Sequence, residues 1–420
     1  VASVTGAGDL FFQEDTHVKK LLLVALGVVF VSAGPALAAP GMPWDREALY
    51  RTPQVFEAKA FATNGVQAVF YEGEPYQGKP TRVFAYYGLP PVKAGEKVPG
   101  IVLVHGGGGS AFVRWVRLWN SRGYAAISMD TCGAVSCNAY GQEQKGHVRH
   151  AWAGPAGWGG FNQVSDPEKD QWTYHAVAAA VRGHSLLLSF PEVDAKRVGL
   201  TGISWGGYLT CIVAGVDDRF AFAVPVYGCG FLGDNSAWLK EFQGMGPEKA
   251  RRWLELWDPS AYLPLAKMPF LWVTGSNDFA YPLDSLKKSY RSLQAPYALC
   301  VRLRMPHGHG AAGENPKEIV TFADYHTRGG KPLPEFTSVK REGRKVTAAF
   351  SSGPCTVVRA ELNYTLDTGS WKERKWLSEP VAANACSGSL TADIPERATV
   401  YYLNLFTDDD LVVSSEHEEL

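Results

Sequence analysis

This 420-residue chain is short of net charge: 41 Lys and Arg against 42 Asp and Glu leave −1. No basic run or stripe stands out, so neither nucleic acid nor an anionic membrane surface is an expected partner. There is no Cys-x-x-Cys pair and no His/Cys cluster at zinc spacing, so a metal site has little support, and no cofactor is expected. Internal repeats and low-complexity tracts are missing too, which removes solenoid and linker readings. Cysteines are few and odd in number, seven in all, so at least one is unpaired if the others bridge. What remains is ordinary globular composition, 46% hydrophobic and 20% charged, at a length that suggests two domains. The 13 Trp, 18 Tyr and 20 Phe are the mild excess. They suit core packing first, and stacking on sugars or acyl groups second.

The N-terminal stretch reads as a leader rather than as fold. Lys19 and Lys20 precede an apolar run from Leu21 to Val31, and Ala36-Leu37-Ala38 follows. That is the layout of a secretory signal cleaved before Ala39, with an apolar run too short to span a bilayer comfortably. The expected location is therefore secreted or periplasmic, with no stable membrane anchor. Glu14 and Asp15 are acidic where such a leader should be basic. Translation starting at Val18 would explain them, with residues 1–17 a mis-assigned extension.

Beyond the leader, residues 39–332 read as one α/β domain. Ile101-Val102-Leu103-Val104 is a wholly apolar run, as expected of a strand buried on both faces. Strand patterns also fall at 66–71, 83–87, 124–129, 198–201, 220–226, 269–274 and 299–305. Helical patterns fall at 112–120, 170–190 and 205–214. This alternation predicts a doubly wound, mostly parallel sheet. Residues 132–166 form a Gly-, Trp- and His-rich insertion without clear period, expected at the rim of a site. From 333 to 420 the texture changes to short strand-like runs at 345–350, 357–364 and 400–406, separated by turn signals. A small β-sandwich is expected there. Cys355 and Cys386 are placed to pair within it, and Cys132 and Cys137 share one loop-like stretch.

Three short motifs carry chemistry. Gly202-Ile203-Ser204-Trp205-Gly206 follows a predicted strand and opens a predicted helix. A serine hydroxyl at neutral pH is a poor nucleophile, and this sharp, strained turn presents it to a base. Asp278 lies in a loop just past the strand ending at Thr274 and is the candidate acid. Pro306-His307-Gly308-His309-Gly310 supplies the base. His309, with glycine on either side, is the first choice, and His307 is the alternative base or a supporting residue. His105-Gly106-Gly107-Gly108-Gly109 follows the buried strand at 101–104. Glycine there lets backbone N–H groups approach an acyl oxygen, so Gly107 or Gly108 and the Trp205 N–H are the expected oxyanion donors. The run has no Lys-Ser/Thr ending, which argues against a nucleotide phosphate loop. Trp152, Trp158, Phe161, Tyr227 and Tyr281 are candidates for the substrate-pocket wall. His105, His150, His175 and His184 are expected to be structural or rim residues.

Serine, acid, histidine is the chain order of the α/β-hydrolase triad. Residues 99–327 resemble the bacterial secreted α/β-hydrolases of the acetyl xylan esterase, dienelactone hydrolase and prolyl oligopeptidase-like group. The resemblance rests on HGGGG at 105, VDAKRVGLTGISWGGYLT at 193, VTGSNDFAYP at 273 and MPHGHG at 305. It implies hydrolysis of carboxylic esters on polysaccharides or small molecules, or in some members of peptides. The chain lacks the Arg-Gly-Gln element and the His-Glu pair usual in acetyl xylan/cephalosporin deacetylases. Its mature N-terminal segment cannot hold the propeller of prolyl peptidases. LNYTLDTGSWKERKW at 362 is similar to a fibronectin-type sandwich appended to some of these hydrolases.

The leading expectation is thus an exported serine hydrolase that acts on a small-molecule or polysaccharide ester through an acyl-enzyme. A peptidase or amidase on the same three residues is one alternative. A polysaccharide-binding protein with a vestigial triad is the other.

Overall fold

The architecture follows from where the apolar runs fall. The computed structural model describes residues 41–137, 143–384 and 386–420. The leader expected at 1–38 and the Cys137 side chain lie outside the described residues. The central sheet is built from β1 (Val55–Glu57), β2 (Gln67–Glu72), β3 (Arg82–Gly88), β4 (Val98–Val104) and β5 (Ala125–Met129). A hairpin follows, β6 (Ala134–Cys137) and β7 (Glu143–Arg149), and the sheet resumes with β8 (Val193–Ile203), β9 (Phe222–Val226), β10 (Phe270–Gly275) and β11 (Tyr297–Arg302). Its order is β1-β2-β3-β5-β4-β8-β9-β10-β11. From β5 to β11 every neighbouring pair is parallel, while β1, β2 and β3 run antiparallel at one edge. The expected doubly wound sheet is therefore present, with an antiparallel extension.

The inner strands are buried on both faces, which is why Ile101 to Val104 and Phe222 to Val226 carry no alternation. Helices cover those faces: α1 (Arg46–Tyr50), α2 (Val113–Ser121), α3 (Trp172–Leu188), α4 (Trp205–Val216), α5 (Leu239–Met245), α6 (Pro247–Trp257), α7 (Leu283–Ser292), α8 (Ala311–Glu314) and α9 (Lys317–Arg328). Every residue of α4 is buried. Trp115, Trp119, Trp172, Trp253, Trp257 and Trp272 are fully buried, so much of the aromatic excess is core. The strand expected at 299–305 is shifted toward the N-terminus. β11 ends at Arg302, opposite Gly275, and the chain then turns through Arg304 at φ +52°. The insertion at 132–166 contains the β6–β7 hairpin, which the absence of period did not reveal.

The C-terminal strands form two antiparallel sheets. One is ordered β12 (Glu335–Glu342), β13 (Lys345–Ser351), β17 (Ser389–Asp393), β16 (Ala383–Asn384). The other is ordered β15 (Trp376–Val381), β14 (Val357–Thr365), β18 (Val400–Thr407), β19 (Val412–Ser414), with β20 (Glu418–Glu419) also pairing with β18. Val346, Phe350 and Leu390 of one meet Leu362, Leu403 and Leu405 of the other, a small sandwich with its own core. Trp371, Trp376, Tyr402 and Val412 instead join the core of the large sheet. The suggested Cys355–Cys386 bridge is not formed. Cys355 is buried with its thiol toward the Pro332 carbonyl, Cys386 is exposed, and both are free.

Candidate active site

Ser204 sits where β8 turns into α4, with φ +58° and ψ −118°, a conformation costly for a residue with a Cβ. The turn is possible because its neighbours are bare. A Cβ on Gly202 would lie 2.1 Å from the Gly206 carbonyl, and one on Gly206 would lie 2.0 Å from the Val104 carbonyl. The Ser204 N–H donates to the Val226 carbonyl at 2.8 Å, and its own carbonyl accepts from the Tyr208 N–H at 2.9 Å. The hydroxyl is thereby fixed at the C-terminal end of the parallel strands, beside the first turn of α4.

Asp278 occupies the loop after β10, and its side chain is fully buried. Its Oδ1 accepts from the Ala280 and Tyr281 N–H groups at 2.9 and 2.8 Å. Its Oδ2 lies 2.7 Å from His307 Nδ1, and His307 Nε2 lies 2.8 Å from Ser204 Oγ. A carboxylate only accepts, so Nδ1 carries the imidazole proton, and Nε2 is left to accept from the Ser204 hydroxyl. That is the tautomer a general base needs. Tyr227 steadies the ring. It stacks on His307 at 4.6 Å between centroids, and its hydroxyl donates to the Pro306 carbonyl at 2.7 Å.

His309, the first choice for the base, is not the histidine that meets Ser204. Its Nε2 accepts the Gly106 N–H at 3.0 Å, and its Nδ1 faces Glu314 Oε1 at 3.1 Å. With Nε2 already occupied as an acceptor, it cannot take the serine proton. The near-symmetry of Pro-His-Gly-His-Gly hid the difference. Glu314 is buried, which opposes its charge. Hydrogen bonds from His309, the Gly310 backbone and Arg114 outweigh that and hold its carboxyl down at about 2.

The glycine loop lies directly over the elbow. A Cβ on Gly106 would meet the Ile203 carbonyl at 2.6 Å, and one on Gly107 would meet Trp205 Cδ1 at 2.7 Å. Gly107 is therefore the loop residue seated beside Trp205. Gly108 provides the left-handed turn, at φ +73°, and a Cβ there would face open space. His105 is fully buried, with Nδ1 at 2.8 Å from the Gly106 carbonyl and Nε2 accepting from the Thr131 N–H at 2.9 Å. The Trp205 N–H begins a helix and has no partner within it, so it is open to an anion at that end.

The aromatic candidates separate. Trp158 is near Gly107, within 3.8 Å of where a Cβ would stand. Phe161 backs Trp205 instead, stacked on Trp253 at 5.0 Å. Tyr281 is buried behind Trp238, and Tyr227 supports His307 rather than lining a wall. Trp152 is not at the site. Its ring packs on Arg82 at 4.2 Å and on Phe70 at 5.9 Å, at the antiparallel edge of the sheet. The stretch that follows the β6–β7 hairpin carries it there. Two aromatics went unnoticed. Trp238 packs tilted against Trp205 at 4.4 Å between centroids, and Phe279, 56% exposed, lies 4.7 Å from His307. Phe279 follows Asp278 directly, a signal available in the sequence. Nothing marked Trp238.

Among the described residues no three His, Cys, Asp or Glu side chains gather as a metal ligand set. A groove of about 1060 Å³ opens elsewhere, between Phe270 and Tyr297, at the start of β10 and β11, and the C-terminal sheets. That is the opposite end of the parallel strands from Ser204.

Residues 51–239 match the family model described as acetyl xylan esterase (AXE1), and residues 161–328 match the prolyl oligopeptidase family. The structure of an acetyl xylan esterase from Paenibacillus sp. R4 superposes with a TM-score of 0.52 at 22% identity, over 67% of this chain and 92% of that one. The fold is that of the α/β-hydrolases. Acetyl xylan esterase 1 from Thermoanaerobacterium sp. JW/SL YS485 superposes on this chain with a TM-score of 0.51 at 16% identity, over 70% of this chain and 95% of that one. The uncharacterized peptidase YuxL of Bacillus subtilis is 26% identical over 214 residues, which is 47% of this chain but only 28% of YuxL. The chain thus spans a little over a quarter of that curated relative. Both family matches include Ser204, and together they support a serine hydrolase of the esterase or peptidase type. No helix among the described residues is long and apolar enough to cross a membrane.

Proposed function

We propose that this protein is an exported serine hydrolase that cleaves carboxylic esters, with short acyl groups on a carbohydrate or small molecule as its substrate class. The observation that carries the reading is the unbroken hydrogen-bonded line Asp278–His307–Ser204 at the end of the parallel strands. In the proposed cycle His307 Nε2 takes the Ser204 proton as Oγ attacks the ester carbonyl carbon. Negative charge then builds on the former carbonyl oxygen, toward the Gly107 and Trp205 N–H groups. Each such donor is typically worth about 3 kcal/mol in the transition state. Collapse breaks the bond to the alkoxide oxygen, which leaves with the proton from His307. Water, deprotonated by the same histidine, then releases the acid and restores Ser204. Asp278 keeps the imidazole proton on Nδ1 and balances the charged ring. Trp158 and Trp205 beside Gly107, and Phe279 beside His307, put flat apolar surface near this point, which suits a small acyl group. The leader layout at 19–38 supports export.

The test is release of p-nitrophenol from acetate, butyrate and octanoate esters by the parent, Ser204→Ala and His307→Ala. Acetate is expected to be preferred, and both variants are expected to lose about a thousandfold or more in kcat. No hydrolysis of any ester by the parent would overturn the ester reading. The prolyl oligopeptidase match covers all three residues of the line, which favours a second reading, peptide hydrolysis. Peptidyl p-nitroanilides in the same assay decide between the two.

A further inference from the structure

The chain places a second histidine–carboxylate pair beside the first, aimed at backbone rather than at a nucleophile. His309 Nε2 accepts the Gly106 N–H, so its other nitrogen, Nδ1, carries the proton and donates to Glu314 Oε1 at 3.1 Å. The same Oε1 accepts from Arg114 Nη2 at 2.8 Å, and the Glu314 side chain is only 5% exposed. Phe112 and Trp115 flank the His309 ring at 4.6 and 5.7 Å, so its orientation is set by packing as well. On the far side of Gly106 the carbonyl accepts from the Gly109 N–H at 3.0 Å and lies 2.8 Å from His105 Nδ1. The Thr131 N–H donates to His105 Nε2, which leaves Nδ1 as the proton-bearing nitrogen, so this contact is a donated bond too.

These bonds hold Gly106 from both ends. Its carbonyl belongs to the same planar peptide as the Gly107 N–H, and in a trans peptide the two point in opposite directions. Fixing the carbonyl with two donors therefore fixes the direction of the Gly107 N–H. Fixing the Gly106 N–H through His309 stops the preceding peptide from turning. Without that bond a glycine-rich loop has wide backbone freedom. We propose that His309, oriented by Glu314 and Arg114, is a positioning residue that clamps the glycine loop so that the Gly107 N–H is aimed at the developing oxyanion. The proposal rests on the serine hydrolase reading for its effect on rate, and on hydrogen-bond geometry alone for its effect on the loop.

Two amides separate the bonds of His309. The end of a Gln side chain reaches where Nε2 stands and can accept from Gly106. An Asn side chain reaches only to the Nδ1 position and can bond Glu314 alone. The experiment compares full-chain parent, His309→Gln, His309→Asn and His309→Leu by p-nitrophenyl acetate kinetics, by the inhibition constant of a trifluoromethyl ketone, and by hydrogen exchange of the peptide spanning 104–112. In the Asn and Leu variants kcat is expected to fall about a hundredfold with KM little changed, because the loss is of aim and not of substrate binding. The ketone should weaken in parallel, and exchange of the loop should quicken. His309→Gln should stay within about tenfold of the parent in rate, with slow exchange. Equal rates and equal exchange in Gln and Asn would overturn the proposal. So would a Gln variant as inactive as His307→Ala, which would make His309 a proton carrier. If Leu fails to fold, the Gln and Asn pair still decides. If the parent cleaves no ester, the functional reading fails on that result alone, and the exchange data still test the clamp.

Discussion

His307 and His309 stand two residues apart, yet His307 Nε2 meets Ser204 Oγ at 2.8 Å while His309 Nε2 holds the Gly106 N–H at 3.0 Å. One short loop thus sets one imidazole against the Ser204 hydroxyl and the other against the backbone of the glycine loop. The division of labour depends on tautomers, and tautomers depend on the carboxylates behind each ring.

Asp278→Asn tests that dependence. Oδ1 is committed to two backbone N–H donors, so in the variant the amide oxygen stays there and the NH₂ faces His307. Nδ1 must then accept, its proton moves to Nε2, and Ser204 loses its base. The expected loss in kcat is about ten-thousand-fold, with thermal unfolding close to the parent because the backbone bonds survive. A variant within tenfold of the parent would remove Asp278 from the mechanism.

Two Gly→Ala changes should give opposite kinds of damage. At Gly206 the new Cβ would sit 2.0 Å from the Val104 carbonyl, backbone of a central strand that cannot yield. Gly206→Ala is expected to lose about 3 kcal/mol of stability or more, or to fail to fold. At Gly107 the Cβ would sit 2.7 Å from Trp205 Cδ1, a side chain that can shift. Gly107→Ala should fold with a Tm within a few degrees of the parent and lose about a hundredfold in kcat. Urea unfolding and steady-state kinetics on the same preparations distinguish the two.

Much of this was legible beforehand, for a physical reason. Strands buried on both faces must be wholly apolar, and a strained serine turn must be flanked by glycine, so residues 101–104 and 202–206 announce themselves. Asp278, which the structure sets against His307, could be singled out because it lies just past a strand end. The choice between His307 and His309 was not legible. The flanking glycines of His309 pointed the wrong way, and what separates the two rings is a Gly106 N–H some two hundred residues away. Trp152 was misplaced for a related reason. Aromatic residues in an insertion carry no period, and an arginine on a distant strand, Arg82, decides where that one lies.

Glu314 makes stability depend on acid. Its carboxyl is held at about 2, below its ordinary 4.5, by His309, the Gly310 backbone and Arg114 acting against the cost of burial. A group whose value is depressed in the folded state contributes fully above its unfolded value and loses the contribution as pH falls. The window is therefore from about 4.5 down to about 2, and the shift is worth on the order of 3 kcal/mol. Denaturant midpoints taken at intervals through that range should fall more steeply for the parent than for Glu314→Gln. Parallel curves would show that Glu314 is not held in this way.

The C-terminal sandwich should prove inseparable from the sheet it covers. β11 is the last strand of the central sheet, and its free edge is capped by side chains of the sandwich. The Val301 N–H donates to Ser414 Oγ at 2.8 Å, and Asn404 Nδ2 donates to the Val301 carbonyl at 3.1 Å. Ser414 in turn donates to Asn404 Oδ1 at 2.7 Å, so the pair forms one buried unit. Asn277 extends the contact, its Nδ2 donating to the Arg374 carbonyl at 2.7 Å from the loop that carries Asp278. Ending the chain at Pro332 would strip these partners and open an apolar edge at Cys300 and Val301, an invitation to aggregate. A chain of residues 39–332 is expected to be insoluble or to unfold without cooperativity. In the complete chain Asn404→Ala should cost about 1–3 kcal/mol by leaving the Val301 carbonyl and Ser414 unpaired. Because the same interface borders the Asp278 loop, that variant should also lose activity at temperatures below its unfolding midpoint. A soluble, active 39–332 chain would show instead that the central sheet closes its own edge.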